Sequence, residues 1–105
     1  MLHFIYLLRL APRFACQKNW NEETRHIVAL HFEYLKNYCG EGTVILAGRT
    51  SLGSDDIFNQ GIVMLELPSI EAARNFMDQD PAVREGVMIA QLFPFSIALM
   101  RQVAP

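Results

Sequence analysis

Apolar and polar positions follow two periods along the chain, and these periods predict strands and helices. Four runs are rich in aliphatic, β-branched and aromatic residues, which is typical of strands. They cover residues Leu2–Leu10, 43–52, Gly61–Leu67 and 87–103. The last run is interrupted at Pro94, which has no amide hydrogen to donate to a neighbouring strand. The first run is apolar at odd and even positions, so we expect that strand in the middle of a sheet, covered on both faces.

The segment between the first two strands has a helical period. Apolar residues recur every three or four positions from Ile27 to Tyr38, which predicts an amphipathic helix that ends near Gly40. Asn19 or Asn21 can cap the amino end of this helix.

A second helix follows the third strand. It is predicted to begin at Ser69. Its apolar stripe has residues at helical spacing: Ile70, Ala73, Phe76 and Met77. Asp80 and Pro81 then start a separate short turn, because aspartate is a good helix cap and proline suits the first helical position. Gly86 is predicted to end that turn.

The order of these elements is β-α-β-β-α-β, which predicts a ferredoxin-like α+β fold. In this fold a four-stranded antiparallel sheet carries two helices on one face. We expect residues 1–105 to form a single domain. The other face of the sheet stays bare in one copy, and its apolar strands predict that two copies pair face to face.

Composition supports the pairing and argues against a nucleic-acid partner. Of the 105 residues, 51% are apolar and 19% are charged, against about 45–50% and about 25% in typical domains. A surplus of apolar residues in so short a chain favours a homo-oligomer. The formal net charge is −2 and no basic block occurs, which argues against a nucleic-acid partner.

Targeting signals and cysteines point to the cytoplasm. No apolar run approaches the roughly 18 residues of a membrane span, so no membrane association is expected. Arg9 and Arg13 follow the apolar amino-terminal run, whereas a secretory signal carries its positive charges before that run. Cys16 and Cys39 are too few for a disulfide scaffold and are expected as free thiols in a reducing compartment.

Two residues are candidates for acid–base chemistry. His31 lies on the apolar stripe of the first helix, where it is either a packed histidine or a general acid or base. Asp80 either only caps the short turn or also orients an imidazole, and one carboxylate can do both. Arg49 is a solvated strand end or an anion-binding group, and Gly48 indicates a close backbone approach or a bend. No metal-ligand cluster and no glycine-rich phosphate loop occurs in the sequence.

Several segments together resemble the YCII-related (YciI-like) family. They are His31-Phe-Glu-Tyr-Leu, residues 41–48 ending in Ala47-Gly48, residues 69–74, residues 80–87 with Asp80-Pro81 and Gly86-Val87, and Phe93-Pro94-Phe95. The resemblance implies a dimeric α+β barrel in which His31 and Asp80 are the catalytic pair. Many relatives carry Ala-Gly-Pro where this chain has Ala47-Gly48-Arg49, so their substrates do not transfer directly.

The sequence thus predicts a cofactor-free enzyme that uses a His31–Asp80 dyad for proton transfer. The resemblance further implies isomerase, lyase or dehydrochlorinase chemistry on a small aromatic or anionic metabolite, with Tyr34, Gly48 and Arg49 expected at the substrate. The alternative is a small-ligand-binding or accessory dimer without turnover. The enzyme hypothesis requires the two dyad side chains to lie within hydrogen-bond reach. Assembly beyond the homodimer is left open.

Overall fold

The chain folds as a four-stranded antiparallel sheet with helices packed on one face, which confirms the predicted ferredoxin-like architecture. The structure, a computed structural model, describes residues 1–102. The elements are β1 (Leu2–Leu10), α1 (Glu22–Gly40), β2 (Val44–Arg49), β3 (Gly61–Leu67), α2 (Ile70–Gln79), α3 (Pro81–Arg84) and β4 (Met88–Pro94). None of the helices within residues 1–102 is both long and apolar enough to cross a membrane.

Strand β1 lies in the interior of the sheet, as its apolar pattern predicts. The strand order is β2-β3-β1-β4, and every neighbouring pair is antiparallel. Alternate residues of β1 (Phe4, Tyr6 and Leu8) are buried under the helices. They pack with the apolar stripes of the helices and with neighbouring strands, and this core includes Leu35, Val44, Val63, Leu65, Ala73, Phe76 and Met77. The core therefore lies entirely between the sheet and the helices.

Within residues 1–102, no helix lies over the opposite side of the sheet, so helices cover β1 on one face and not on two. The strand registers place these residues together, and we call the surface the open face: Ile5, Leu7, Leu46, Gly48, Ile62, Met64, Ile89, Gln91 and Phe93. His3 and Glu66 lie at one end of the same face and Arg9 at the other. Leu46, Ile89 and Phe93 are exposed. The middle of the bare face is therefore apolar, as expected.

Polar caps fix where the helices begin. Of the two asparagines considered for α1, Asn21 is the cap, and its side-chain oxygen accepts from the Thr24 N–H at 2.8 Å. Ser69 caps α2 through the Ala72 N–H. Asp80 ends α2 and caps α3, as its pairing with Pro81 predicts. These caps set the chain direction at each helix start, and the Asp80 cap places a carboxylate at the junction of two helices.

Two strands are shorter than their sequence runs. Strand β4 ends at Pro94 instead of continuing after it, because proline cannot extend the ladder; the Phe95 N–H still donates to the His3 carbonyl at 3.0 Å. Residues 95–102 form no strand, and Val103, the predicted end, lies outside the described residues. Strand β2 covers Val44–Arg49 instead of 43–52.

The loop after β2 explains its early end. The Asn59 side chain accepts hydrogen bonds from the Thr50 hydroxyl and the Leu52 N–H. These local bonds replace a continued ladder between the strands.

The close backbone approach predicted at Gly48 is not found within residues 1–102 of one chain, because a Cβ at this position would meet no atom within 4 Å. The register irregularity of β2 lies between Val44 and Leu46. The bend predicted at Gly48 stays a prediction.

Gly86 has a backbone conformation that L-residues avoid, and this generates a stability prediction. Its φ is +75°, while the Val87 N–H donates to the Ala82 carbonyl at 2.9 Å and turns the chain into β4. We expect Gly86→Ala to lower the free energy of unfolding by about 1–2 kcal/mol in urea titrations, because of its left-handed backbone. The matched control, Gly40→Ala at the end of α1, should leave it unchanged or raise it by up to about 1 kcal/mol, because Gly40 has no positive φ and a Cβ there would meet no atom within 4 Å. Equal effects of the two substitutions would contradict this interpretation.

Candidate active site

Asp80 is the centre of the candidate site, and its backbone is fixed by two helices. Its N–H donates to the Met77 carbonyl at the end of α2, and its own carbonyl accepts from Val83 and Arg84 in α3. The side chain is fully buried, with a relative exposure of 0%. A short α3 that begins with the rigid Pro81 therefore aims the carboxylate inward, toward β1 and α1.

Both carboxylate oxygens of Asp80 have hydrogen-bond partners. Oδ1 lies 2.7 Å from His31 Nδ1 and accepts from the Ala82 N–H at 3.1 Å. Oδ2 accepts from the Tyr6 hydroxyl at 2.8 Å. A buried carboxylate without partners is strongly destabilising. The three contacts satisfy it and hold its plane in one orientation.

Tyr6 provides its contact from the central strand of the sheet. The side chain is fully buried. Burial, and then the neighbouring Asp80 carboxylate, raise the pKa of Tyr6 far above its ordinary value. The hydroxyl therefore keeps its proton and is the donor, while Asp80 is the acceptor.

His31 presents one ring nitrogen to Asp80 and leaves the other free. Its side chain is 14% exposed. Because an ionised carboxylate only accepts, the hydrogen-bond network assigns the proton to Nδ1. Within residues 1–102, every buried side-chain nitrogen or oxygen has a hydrogen-bond partner. Nε2 of His31 has no partner there, so it is not buried and reaches solvent. The neutral ring thus has its Nε2 lone pair available for a proton.

The predicted approach of His31 and Asp80 is confirmed by this geometry. The other two histidines lie elsewhere: His3 contacts Glu66 across the strands at 3.0 Å, and His26 is exposed at the start of α1. Within the described part of the chain, no cluster of three histidine, cysteine, aspartate or glutamate side chains could hold a metal ion.

The three residues predicted at the substrate are not bonded to the dyad. The Tyr34 hydroxyl donates to the Phe76 carbonyl at 2.7 Å, and burial raises its pKa well above the ordinary value. Arg49 pairs with Gly61 at the end of β2. Its exposed side chain has no ion pair or hydrogen bond within residues 1–102, and Gly48 beside it faces away on the open face. Their role in substrate binding stays a prediction.

Tyr6 is the site residue that the sequence pattern does not reveal. The pattern places it on an apolar face of β1, which is correct, but indicates no partner for its hydroxyl. A tyrosine in the middle of a buried strand needs an acceptor for its hydroxyl. That requirement is a usable signal, although the acceptor itself, 74 positions away, is not evident from local pattern.

Comparisons with known proteins agree with the fold. A family model described as the YCII-related domain matches residues 4–96. No curated protein matches the sequence. One similar solved structure is 5-chloro-2-hydroxyhydroquinone dehydrochlorinase from Burkholderia phenoliruptrix in complex with 2,5-dihydroxybenzoquinone. The likeness has a TM-score of 0.65 at 15% identity and covers 90% of this chain and 94% of that chain, which establishes a common fold.

The buried hydroxyl of Tyr6 yields a stability prediction. Tyr6→Phe leaves Oδ2 of Asp80 without its donor in the core, so we expect the free energy of unfolding to fall by about 1–3 kcal/mol in urea titrations. Tyr38→Phe is the matched control, because Tyr38 is at the surface and its hydroxyl has no bond to a residue in the described range. That control should stay within about 0.5 kcal/mol of the parent protein. Equal stability of the two variants would show that the Tyr6–Asp80 bond contributes nothing.

Proposed function

We propose that this chain, which belongs to the YCII-related family, is an enzyme that transfers a proton to and from a small organic substrate. The observation that supports this most directly is the 2.7 Å contact between His31 Nδ1 and Asp80 Oδ1. It holds the imidazole in one tautomer and one orientation, with Nε2 open to an incoming molecule.

In the proposed mechanism, Nε2 of His31 is the group that exchanges the proton. As a base it accepts a proton from a carbon or oxygen of the substrate, and the resulting imidazolium is stabilised by the Asp80 carboxylate. As an acid the same nitrogen returns the proton to another atom of the substrate or to the leaving group. Asp80 keeps its geometry throughout, because Tyr6 and the Ala82 N–H hold it from the other sides.

This chemistry fits isomerisation and elimination. In an isomerisation, the proton leaves one atom and returns to another. In a dehydrochlorination, the substrate loses a proton to the base while chloride leaves with the electron pair of its bond to carbon. Neither reaction needs an electron donor or acceptor. Arg49, exposed at the end of β2, would favour an anionic substrate if it lies along the entry path.

Hydrogen exchange measures the proposed proton transfer even when the product is not identified. The protein is incubated in D₂O with a panel of hydroxylated and chlorinated aromatic compounds, starting with 5-chloro-2-hydroxyhydroquinone. Deuterium uptake is followed by mass spectrometry, and chloride release is measured in parallel. We expect the parent protein to catalyse exchange or release with at least one compound and His31→Ala to lose at least about 100-fold in rate.

His26→Ala is the matched control for that assay. His26 is an exposed histidine on the same helix, so its removal should leave the rate unchanged. Turnover that survives in His31→Ala would contradict the proposed role of the dyad. Compounds that bind with no exchange and no chloride release would instead favour the ligand-binding alternative.

We also propose that two copies pair through their open faces. Leu46, Ile89 and Phe93 are exposed there beside the half-buried Ile5 and Met64. Burial of an extended apolar surface of this kind is favourable at about 25 cal/mol per Å². A face-to-face pair would cover the side of β1 that one chain leaves bare.

Light scattering tests the pairing. We expect a mass of twice the 12.0-kDa chain at micromolar concentration. Met64→Lys puts a charge in the middle of the open face and should give single chains, because an unpaired charge is strongly disfavoured in an apolar interface. Phe32→Lys, which changes an exposed aromatic residue on α1, should keep the double mass. A single-chain mass for the parent protein would contradict the proposal.

A further inference from the structure

A cleft between the helices, outside the dyad, has the size of a small-molecule site. It lies between α1, α2 and α3 and has a volume of about 440 Å³, within the range typical of ligand pockets. Neither His31 nor Asp80 lines it, although Pro81, the residue after Asp80, does. We call it the interhelical cleft and define it by Tyr34, Tyr38, Asn75, Phe76, Gln79 and Arg84.

One wall of the interhelical cleft is a cluster of three aromatic rings. The ring centroids of Tyr34 and Phe76 are 4.8 Å apart, those of Tyr38 and Phe76 are 5.0 Å apart, and those of Tyr34 and Tyr38 are 5.1 Å apart. The hydrogen bond from the Tyr34 hydroxyl to the Phe76 carbonyl holds the cluster together. Tyr38 is 36% exposed at the rim. The Tyr38 ring meets the Phe76 ring edge to face at 82°, and Phe76 is only 7% exposed. Tyr38 is therefore the most exposed ring of the cluster and the one that a planar aromatic ligand would contact.

The cleft carries a single charge, and that charge is positive. Arg84 is the one charged residue among those that line it. Its Nε donates to the Glu85 carboxylate at 3.0 Å, and Glu85 does not line the cleft. This bond uses only Nε, so the two terminal nitrogens of the guanidinium stay available for a bidentate contact with a carboxylate. The amide groups of Asn75 and Gln79 are exposed and make no side-chain hydrogen bond within residues 1–102.

Arg84 is also close to the aromatic cluster. Burial is the main reason that the pKa of Tyr34 is raised, and the Arg84 guanidinium acts against this rise from nearby. A ligand with its ring on the cluster therefore has a cation beside it. No acidic side chain lines the cleft or competes for Arg84 from within. Outside the lining, the buried Asp80 carboxylate is a negative charge that acts on Tyr34, and it also raises the pKa of Tyr34.

We propose that the interhelical cleft binds a small aromatic carboxylate, with the ring against the exposed Tyr38 ring and the carboxylate on Arg84. The Gln79 and Asn75 amides supply further donors at the rim. This site is separate from the proposed catalytic site. It is connected to that site through the backbone, because Gln79 and Pro81 flank Asp80.

Titration of the full-length chain with sodium benzoate tests this proposal. We expect saturable shifts in the backbone amide spectrum that concentrate at residues 34–43, 72–79 and 82–84. Arg84→Gln should raise the midpoint concentration about tenfold, which corresponds to about 1.4 kcal/mol. Arg84→Lys should fall between the two, because lysine keeps the charge without the planar fork. Benzamide, the neutral analogue, should bind the parent protein more weakly than benzoate.

Two control variants distinguish binding in the cleft from binding elsewhere on the protein. Arg74→Gln removes an exposed arginine on α2 that does not line the cleft, so it should leave the midpoint unchanged. His31→Gln should also leave it unchanged, which separates failure of this proposal from failure of the proposed dyad. Shifts that do not saturate, or equal midpoints for Arg84→Gln and Arg74→Gln, would overturn the proposal. So would shifts that disappear in His31→Gln, since they would place benzoate at the dyad.

Discussion

The structure depends on hydrogen bonds to one buried carboxylate, that of Asp80. Asp80 is fully enclosed, and a charge in that position is tolerated only when several donors reach it at once. The central strand supplies the Tyr6 hydroxyl, α1 supplies the His31 ring and α3 supplies its own Ala82 N–H. The packing of the helices on the sheet is therefore constrained by the same contacts that form the candidate site. A shift of α1 or α3 against β1 would leave a buried polar group without a partner.

This arrangement gives His31 an asymmetric environment. One ring nitrogen is fixed by a rigid, buried acceptor, while the other reaches the surface. A helix alone positions a side chain loosely, because its rotamers remain free. Here the contact with Asp80 selects one rotamer and one tautomer, which is how an ordinary histidine becomes a defined acid or base. The aromatic cluster of Tyr34, Tyr38 and Phe76 packs α1 against α2. Contacts outside the dyad therefore also hold the helix that carries His31.

The order of the elements follows from local signals in the sequence, and so does the helix cap formed by Asp80 before Pro81. The pairing of His31 with Asp80 does not: local signals leave a purely structural role open for each residue, and the resemblance to the YCII-related family is what implies the pair. Other features depend on contacts between distant segments. Tyr6 is a hydrogen-bond donor because the Asp80 carboxylate, which is distant in the sequence, lies opposite its buried hydroxyl. The early end of β2 depends on the hydrogen bonds of Asn59 to the loop, and neither a propensity nor a period predicts them. A glycine in a strand suggests a close neighbour, but within one chain the space beside Gly48 is open.

The role of the site rests on Asp80 holding the His31 ring with its proton on Nδ1 and its lone pair on Nε2. Long-range ¹H–¹⁵N correlation spectra of the ring, recorded at a pH where the imidazole is neutral, measure this directly. We expect His31 to be present as the Nδ1–H tautomer. For the exposed His26 the other tautomer should predominate, as it does for the free histidine side chain in water. A neutral His31 with its proton on Nε2 would contradict this role, since Nδ1 would then have no proton to donate to Asp80.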